Sequence, residues 1–504
     1  MTEQTTPSAP LNPPAHPVHA PFFSRFNRFD RFVGLIMLVL LGAIGLTILL
    51  GDRVGVTLER VGPLGTARST GTITLQFSET MNRDSVPQRL RVVQVAPEMA
   101  GQTVSDEAVL ATVTGNFTWN AHTLTFRPDA PLLPGATYQV SLLPGAISES
   151  GRAVLSEYRF SFTVGRPRVA YLAPASSTQP FNIWITDPAN GEREQVTFSP
   201  SGIYDFSVSP DGSQIAFAEK NSSTGTMDIK LLSLDSGQIE QLTNCLDAEC
   251  KTPVWRPDGQ VIAYERIDYN SDFAQVGVSP NRIWVIDLST RPATTRPMFS
   301  DSQILGYGLD WSKDGQRVSF FDSSAFGILI HDFRDGSSIL VPSQYGNPGR
   351  LSADGTRIAY PEIVLTENQA RSYIQVVDLA TQEQRPMTTP DDPADDDNAV
   401  WSPDGSYLVV TRRYTDDRYT RGKQLYKMNI ADGSVEPLLV DPLYQNGFVM
   451  FDPTGTQLVV QRFPDPVAMG DPENPGMPEI WILDMVTREA VKVADDAFVP
   501  RWVP

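Results

Sequence analysis

The chain has 504 residues, with 59 Asp and Glu against 40 Lys and Arg, for a formal net charge of −19. That balance argues against a nucleic-acid partner, which needs clustered Lys and Arg, and disfavours direct docking on an anionic membrane surface. Hydrophobic residues make up 41%, ordinary for a folded protein, and the 41 Pro and 36 Gly fall between short apolar runs, predicting many turns and short strands.

Residues 1–31 are rich in Pro and Ala and read as a disordered tail. From Phe32 to Gly51, "FVGLIMLVLLGAIGLTILLG" carries no charge over 20 residues. At about 1.5 Å each these span roughly 30 Å, the thickness of a bilayer core, which predicts one transmembrane helix. A signal peptide fits less well, because "LLGDRVGV" makes a poor cleavage site. Arg25, Arg28 and Arg31 precede the run and only Arg53 follows closely, so the expectation is a single-pass cell-membrane protein with its N-terminus cytoplasmic and its bulk exported.

Residues 52–166 alternate apolar and polar in short bursts, such as "GTITLQFSE", "TYQVSLLP" and "YRFSFTV". Such runs predict a small antiparallel β-sandwich. The words "FSETMN" (Phe77–Asn82), "LTFRP" (Leu124–Pro128), "PLLPGATYQV" (Pro131–Val140) and "FSFTV" (Phe160–Val164) resemble the bacterial Ig-like domains of S-layer and other surface proteins, with "ISESGR" at their acidic turn. The resemblance implies a spacer or adhesive module.

From 167 to 504 one word recurs: "FSVSPDGSQIAFAE", "PVWRPDGQVIAYE", "LDWSKDGQRVSFFD", "GRLSADGTRIAYPE", "AVWSPDGSYLVVTR" and "VMFDPTGTQLVVQR". Its glycines, at 212, 259, 315, 355, 405 and 455, are spaced by 40 to 56 residues, a propeller-blade period. Four residues before them stand Val208, Trp255, Trp311, Leu351, Trp401 and Phe451; three after stand Ile215, Ile262, Val318, Ile358, Leu408 and Leu458. Asp-Gly between apolar runs is a hairpin signal, so the repeated pair reads as architecture rather than chemistry. Trp502 fits the first column and Val169 the second, predicting that the last strand completes a sheet begun at residue 168. The expected fold is all-β: an Ig-like sandwich, then a seven-bladed β-propeller closed by its terminal strands, preceded by the helix. These words resemble the TolB-like propellers, related to the tryptophan-aspartate repeat fold. The resemblance implies a protein-docking platform that sometimes accompanies hydrolases. TolB is six-bladed and the count here is seven, so partner contacts do not carry across.

The search for chemistry finds no G-x-S-x-G elbow, and among the four histidines only His331 falls in the propeller. No catalytic residue, cofactor or metal site is therefore expected. Asp395, Asp396 and Asp397, in the acidic run Asp391–Val400, are weak Ca²⁺ candidates, against a solvated loop or a patch for a basic partner. Arg412, Arg413, Tyr414, Tyr419 and Arg421 form a candidate partner surface, against ordinary surface charge pairing. Cys245 and Cys250 fit a local disulfide in an exported protein, with two free thiols as the other reading. The leading functional expectation is a non-enzymatic scaffold whose propeller docks an envelope protein or cell-wall polymer. The alternative is an envelope hydrolase using carboxylates in the propeller funnel.

Overall fold

The computed structural model describes residues 28–51, 55–175, 179–269, 277–343, 345–365, 370–473 and 476–504. Up to residue 27 the expected tail, with His16 and His19, lies outside the described residues. A helix runs from Arg28 to Gly51, and Phe32, Leu35, Leu38 and Leu41 on it are exposed. Among the described residues no helix is long and apolar enough to cross a membrane, so the transmembrane helix expected over 32–51 is not supported. The side chains described on this helix end at Leu46, short of the expected span.

The sandwich forms as the alternation predicts. In Ile73–Phe77 the side chains of Ile73, Leu75 and Phe77 point inward, while Thr74 and Gln76 lie half-buried on the other face. One sheet orders Leu58–Gly62, Ile73–Phe77, Thr123–Pro128 and Gly115–Asn120. The other orders Gly65–Ala67, Tyr158–Val164, Thr137–Leu142, Leu90–Val95 and Ala111–Thr112. Leu75, Phe77, Leu124, Val140 and Phe162 meet between them in one continuous core.

From Ile203 on the chain builds four-stranded antiparallel sheets in sequence, each starting with its inner strand. The inner strands are Ile203–Val208, Ala248–Trp255, Gly306–Trp311, Arg350–Leu351, Ala394–Trp401 and Tyr444–Phe451. The first two sheets join through one parallel pair, Met227 with Glu249, into an eight-stranded sheet. One further sheet pairs Arg168–Ala173 with Phe498–Val503. There Val169 faces Trp502, the closure expected from the sequence.

The two sequence columns stand opposite each other in every hairpin. The pairs are Val208 with Ile215, Trp255 with Ile262, Trp311 with Val318, Leu351 with Ile358, Trp401 with Leu408 and Phe451 with Leu458. These residues fill apolar layers between successive sheets, and the layers follow one another back to the closing strands. Three indoles also tie an inner strand to the one before it. Trp255 Nε1 donates to the Ser207 carbonyl (3.2 Å), Trp401 Nε1 to that of Arg350 (2.8 Å) and Trp502 Nε1 to that of Met450 (3.2 Å).

The repeated turn has the predicted cause. Its glycines all take left-handed φ, between 67° and 76°, a region that a side chain on Cβ disfavours. In five of the six turns the preceding Asp accepts the backbone N–H two residues on, as Asp404 does from Ser406 at 3.0 Å. In the strictest copies a buried serine completes it: Ser402 Oγ donates to Asp404 (2.7 Å) and accepts from Tyr407 N (3.1 Å). These bonds hold Asp211, Asp354 and Asp404 below the usual carboxylate range, against the opposing pull of burial.

Candidate functional site

The inner strands share a second feature. Nearly all shift register a few residues before their apolar column: at Ile203/Asp205, Lys251/Val254, Tyr307/Asp310, Asp397/Val400 and Asn446/Val449, and at Ala170/Leu172 on the strand facing Phe498–Val503. These are β-bulges, which re-aim side chains and release backbone groups from the ladder. At three of them a residue with a side chain is forced to positive φ: Thr252 (48°), Asn398 (48°) and Val499 (53°). Thr and Val are β-branched and resist that region, so the surrounding structure holds local strain.

Side chains of the wheel satisfy the released amides. Gly308 N donates to Glu265 Oε1 (3.0 Å), Leu351 N to Asp310 Oδ2 (2.8 Å) and Val499 N to Gln461 Oε1 (2.8 Å). Phe206 N donates to Asp205 Oδ1 (2.8 Å). The acceptors Glu265, Asp310, Gln461 and Asp205 therefore stand beside the inner strands.

Two guanidiniums join them. Arg350 reaches Asp310 at 3.4 Å, and Arg501 approaches Asp205 at 3.7 Å, beyond hydrogen-bond range. Burial pushes Asp205 above the usual carboxylate range, and Arg501 only partly offsets it. Burial likewise raises Asp310 against the pull of Arg350. Glu265 is raised first by burial, and the negative charge of Asp205 adds to the effect. Burial also lowers Arg501; Asp205 pulls the other way, and the positive charge of Arg350 lowers it further. Arg350 and Arg501 sit on inner strands of different sheets. Asp205 with Arg501 and Asp310 with Arg350 thus form two opposite-charge pairs on inner strands, and Asp205, Glu265 and Asp310 all have raised proton affinity.

Sequence reasoning missed these five residues, yet a signal was there. Asp310, Arg350 and Arg501 occupy the position immediately before Trp311, Leu351 and Trp502 of the apolar column. A charge alternating with a core residue on an inner strand points it away from the layer its neighbour fills.

The residues singled out from the sequence lie elsewhere. Asp396 is fully buried and clamped by Arg412, whose Nε and Nη2 donate at 2.6 and 2.7 Å. Asp395 is paired with Arg413 (2.9 Å) and Lys423 (3.1 Å), and Asp397 lies 3.9 Å from Lys423. The protein's own cations thus neutralise the three Ca²⁺ candidates, and they lie on an inner strand rather than in a solvated loop. Arg412 is only 5% exposed, between the rings of Tyr414 and Tyr426, which removes it from any partner surface. Arg413 and Tyr414 are partly exposed, Tyr419 is exposed, and Arg421 reaches Asp465 at 2.9 Å. Cys245 and Cys250 form a disulfide. His331 bonds Ser338 Oγ through Nδ1 (2.9 Å) and packs edge-on against Phe299 and Phe333, a structural placement.

Residues 52–164 match the bacterial Ig-like domain family. Part of the chain is similar to dipeptidyl-peptidase 5 of Porphyromonas gingivalis, 32% identical over 148 residues, which cover 27% of this chain. The match spans only 20% of that relative's length. Among solved structures, TolB from Acinetobacter baumannii is 19% identical with a TM-score of 0.35, covering 64% of this chain and 81% of that one. The β-propeller domain of the Trilobed protease from Pyrococcus furiosus is 15% identical with a TM-score of 0.42, covering 59% and 84%. A prolyl endopeptidase is 14% identical with a TM-score of 0.49, covering 65% and 49%. The expectation of a non-enzyme is corrected here: its ground was the missing motif for a nucleophile, whereas a relative similar over 27% of the chain is a dipeptidyl-peptidase.

Proposed function

We propose that the chain is an envelope hydrolase acting on peptides, with a seven-bladed wheel that binds the chain to be cut at its centre. The observation that carries this reading is the set of buried acids beside the inner strands: Asp310 3.4 Å from Arg350, Asp205 3.7 Å from Arg501, and Glu265 accepting from Gly308 N at 3.0 Å, all three raised in proton affinity. The likeness to a dipeptidyl-peptidase supports the choice of peptide over other polymers. The ring of apolar layers, returning to the strand pair of Val169 and Trp502, supports the blade count.

Hydrolysis adds water across an amide: a C–O bond forms, the C–N bond breaks and the departing nitrogen gains a proton. A carboxyl group with raised proton affinity can hold that proton nearer neutral pH than a free one. Glu265 fits this role best. It has no ion-pair partner within salt-bridge distance among the described residues, whereas Asp310 faces Arg350 and Asp205 faces Arg501.

The test is a defined peptide mixture incubated with the full chain and read by mass spectrometry, beside Glu265→Gln. New peptide termini formed by the parent and strongly reduced in E265Q are the expected result. If no peptide is shortened, the hydrolase reading falls; peptides retained intact on the protein then favour a docking platform. The helix Arg28–Gly51, with its exposed apolar side chains, is proposed to hold the protein in the cell membrane. Recovery of the full chain in the soluble fraction after cell breakage refutes that placement.

A further inference from the structure

Arg501 leaves most of its donors unpaired among the described residues. Its side chain is 19% exposed, yet among the described residues it makes a single hydrogen bond, from Nη1 to the Pro500 carbonyl at 3.1 Å. Asp205, the carboxylate that faces it, stays 3.7 Å away. A guanidinium carries five N–H donors in a rigid fork, so most of its donor capacity is unused. Its unpaired donors stay within reach of solvent on a side chain that is mostly covered, which suits them to receive an incoming anion.

The surroundings hold the fork in place. The Phe448 ring lies 4.6 Å from the guanidinium carbon, and Phe206 lies 6.0 Å away. Cation–π contact of this kind fixes the plane of an arginine while leaving its edge free to donate. Upstream on the same strand, Val499 keeps its left-handed φ of 53° because Gln461 accepts its N–H at 2.8 Å. The bulge therefore aims Arg501 inward at the expense of local strain. Arg350, bonded at 3.4 Å to Asp310, adds a second positive charge on an inner strand.

We infer that Arg501 receives a carboxylate of the ligand, with Arg350 contributing longer-range attraction. Planar, two-point recognition of a carboxylate is what a guanidinium does and an ammonium does not. The inference deepens the peptide reading above and rests on it: the carboxylate belongs to an Asp or Glu side chain or to the peptide's C-terminus. Asp205 then acts as the competing internal carboxylate, near enough to balance the charge in the free protein and too far to hold it.

The experiment measures dissociation constants of the full chain for matched peptides. One pair differs by Glu against Gln within the sequence, the other by a C-terminal acid against an amide. The parent protein is expected to prefer one acid form roughly ten- to a hundredfold, the range for a charge-assisted hydrogen bond. Which pair shows the preference identifies the source of the carboxylate. Arg501→Met abolishes the preference, Arg501→Lys retains only part of it, and Asp205→Asn strengthens carboxylate binding. Thermal unfolding of each variant confirms folding, and if R501M does not fold, R501K decides. Equal affinity for both members of each pair, or a preference that survives in R501M or stays undiminished in R501K, overturns the assignment. Glutarate serves as an independent probe. If it binds in an Arg501-dependent way while no peptide binds, the carboxylate site stands and the peptide reading falls. If neither glutarate nor an acidic peptide binds through Arg501, the site itself falls.

Discussion

The sandwich and the wheel reach stability by different routes. Residues from both sheets of the sandwich meet in one core around Leu75, Phe77, Leu124 and Phe162. The wheel has no single core; each apolar layer belongs to two neighbouring sheets and depends on both. A small sandwich is therefore lost as a unit, whereas a ring is as strong as the closure that keeps its layers in register. The ring gains from this arrangement a middle that no core fills, where charged groups can be presented.

The contrast is broken most severely by Trp502→Ala. This removes a large buried side chain and the indole bond to Met450 at the one place where the ends of the ring meet. A loss of about 3–5 kcal/mol is expected, from the cost of truncating a buried aromatic residue. Denaturant unfolding should show the wheel melting early while the sandwich transition stays in place. Phe77→Ala is the mirror experiment and should move only the sandwich transition. Two transitions that shift together in both variants would show that the regions unfold as one.

Asp396→Ala comes next. It strands Arg412 without its bidentate partner in a buried site, and a loss of about 3 kcal/mol follows from breaking one side of such a pair. Calorimetry should place the whole loss in the wheel. Removing the disulfide with Cys245→Ser and Cys250→Ser opens a short loop, for about 2 kcal/mol on the chain-entropy account. The same variant pair under reducing conditions should show no further change.

The smallest single effect belongs to the repeated turn. Ser402→Ala leaves Tyr407 N without its side-chain acceptor and should cost about 1 kcal/mol in unfolding experiments. The turn aspartates Asp211, Asp354 and Asp404 sit below their usual range in the folded state. Their stabilisation is therefore present above the unfolded carboxylate value of about 4 and is lost as pH falls through the folded values. Buried Tyr264 and Tyr360 are pushed up to about 12, so their contribution holds below about pH 10 and fades as pH rises toward 12. Absorbance titration of tyrosinate, run beside far-ultraviolet circular dichroism, should show both ionising only as the sheets are lost.

The wheel was legible from sequence because its turns and layers reuse the same residues at the same offsets. Trp255 and Ile262, or Trp401 and Leu408, stand at positions that could be aligned by eye, and they are direct cross-strand neighbours. The central charges were harder to see for a physical reason. Asp205, Glu265 and Arg501 come from different sheets and different offsets, brought together by ring closure and by bulges that periodicity does not encode. The acidic run misled for the opposite reason. Asp395 and Asp396 look solvated in a linear reading, yet antiparallel pairing sets Arg413 and Arg412 directly across from them.

The seam between Val169 and Trp502 also dictates an order of events during synthesis. Sandwich residues leave the ribosome early and can settle at once, as domains that emerge first generally do. The wheel must wait, because its first sheet lacks an inner strand until Phe498–Val503 has been translated. Until then a nearly complete circle carries an open edge, and whatever shields that edge governs how much of the protein matures.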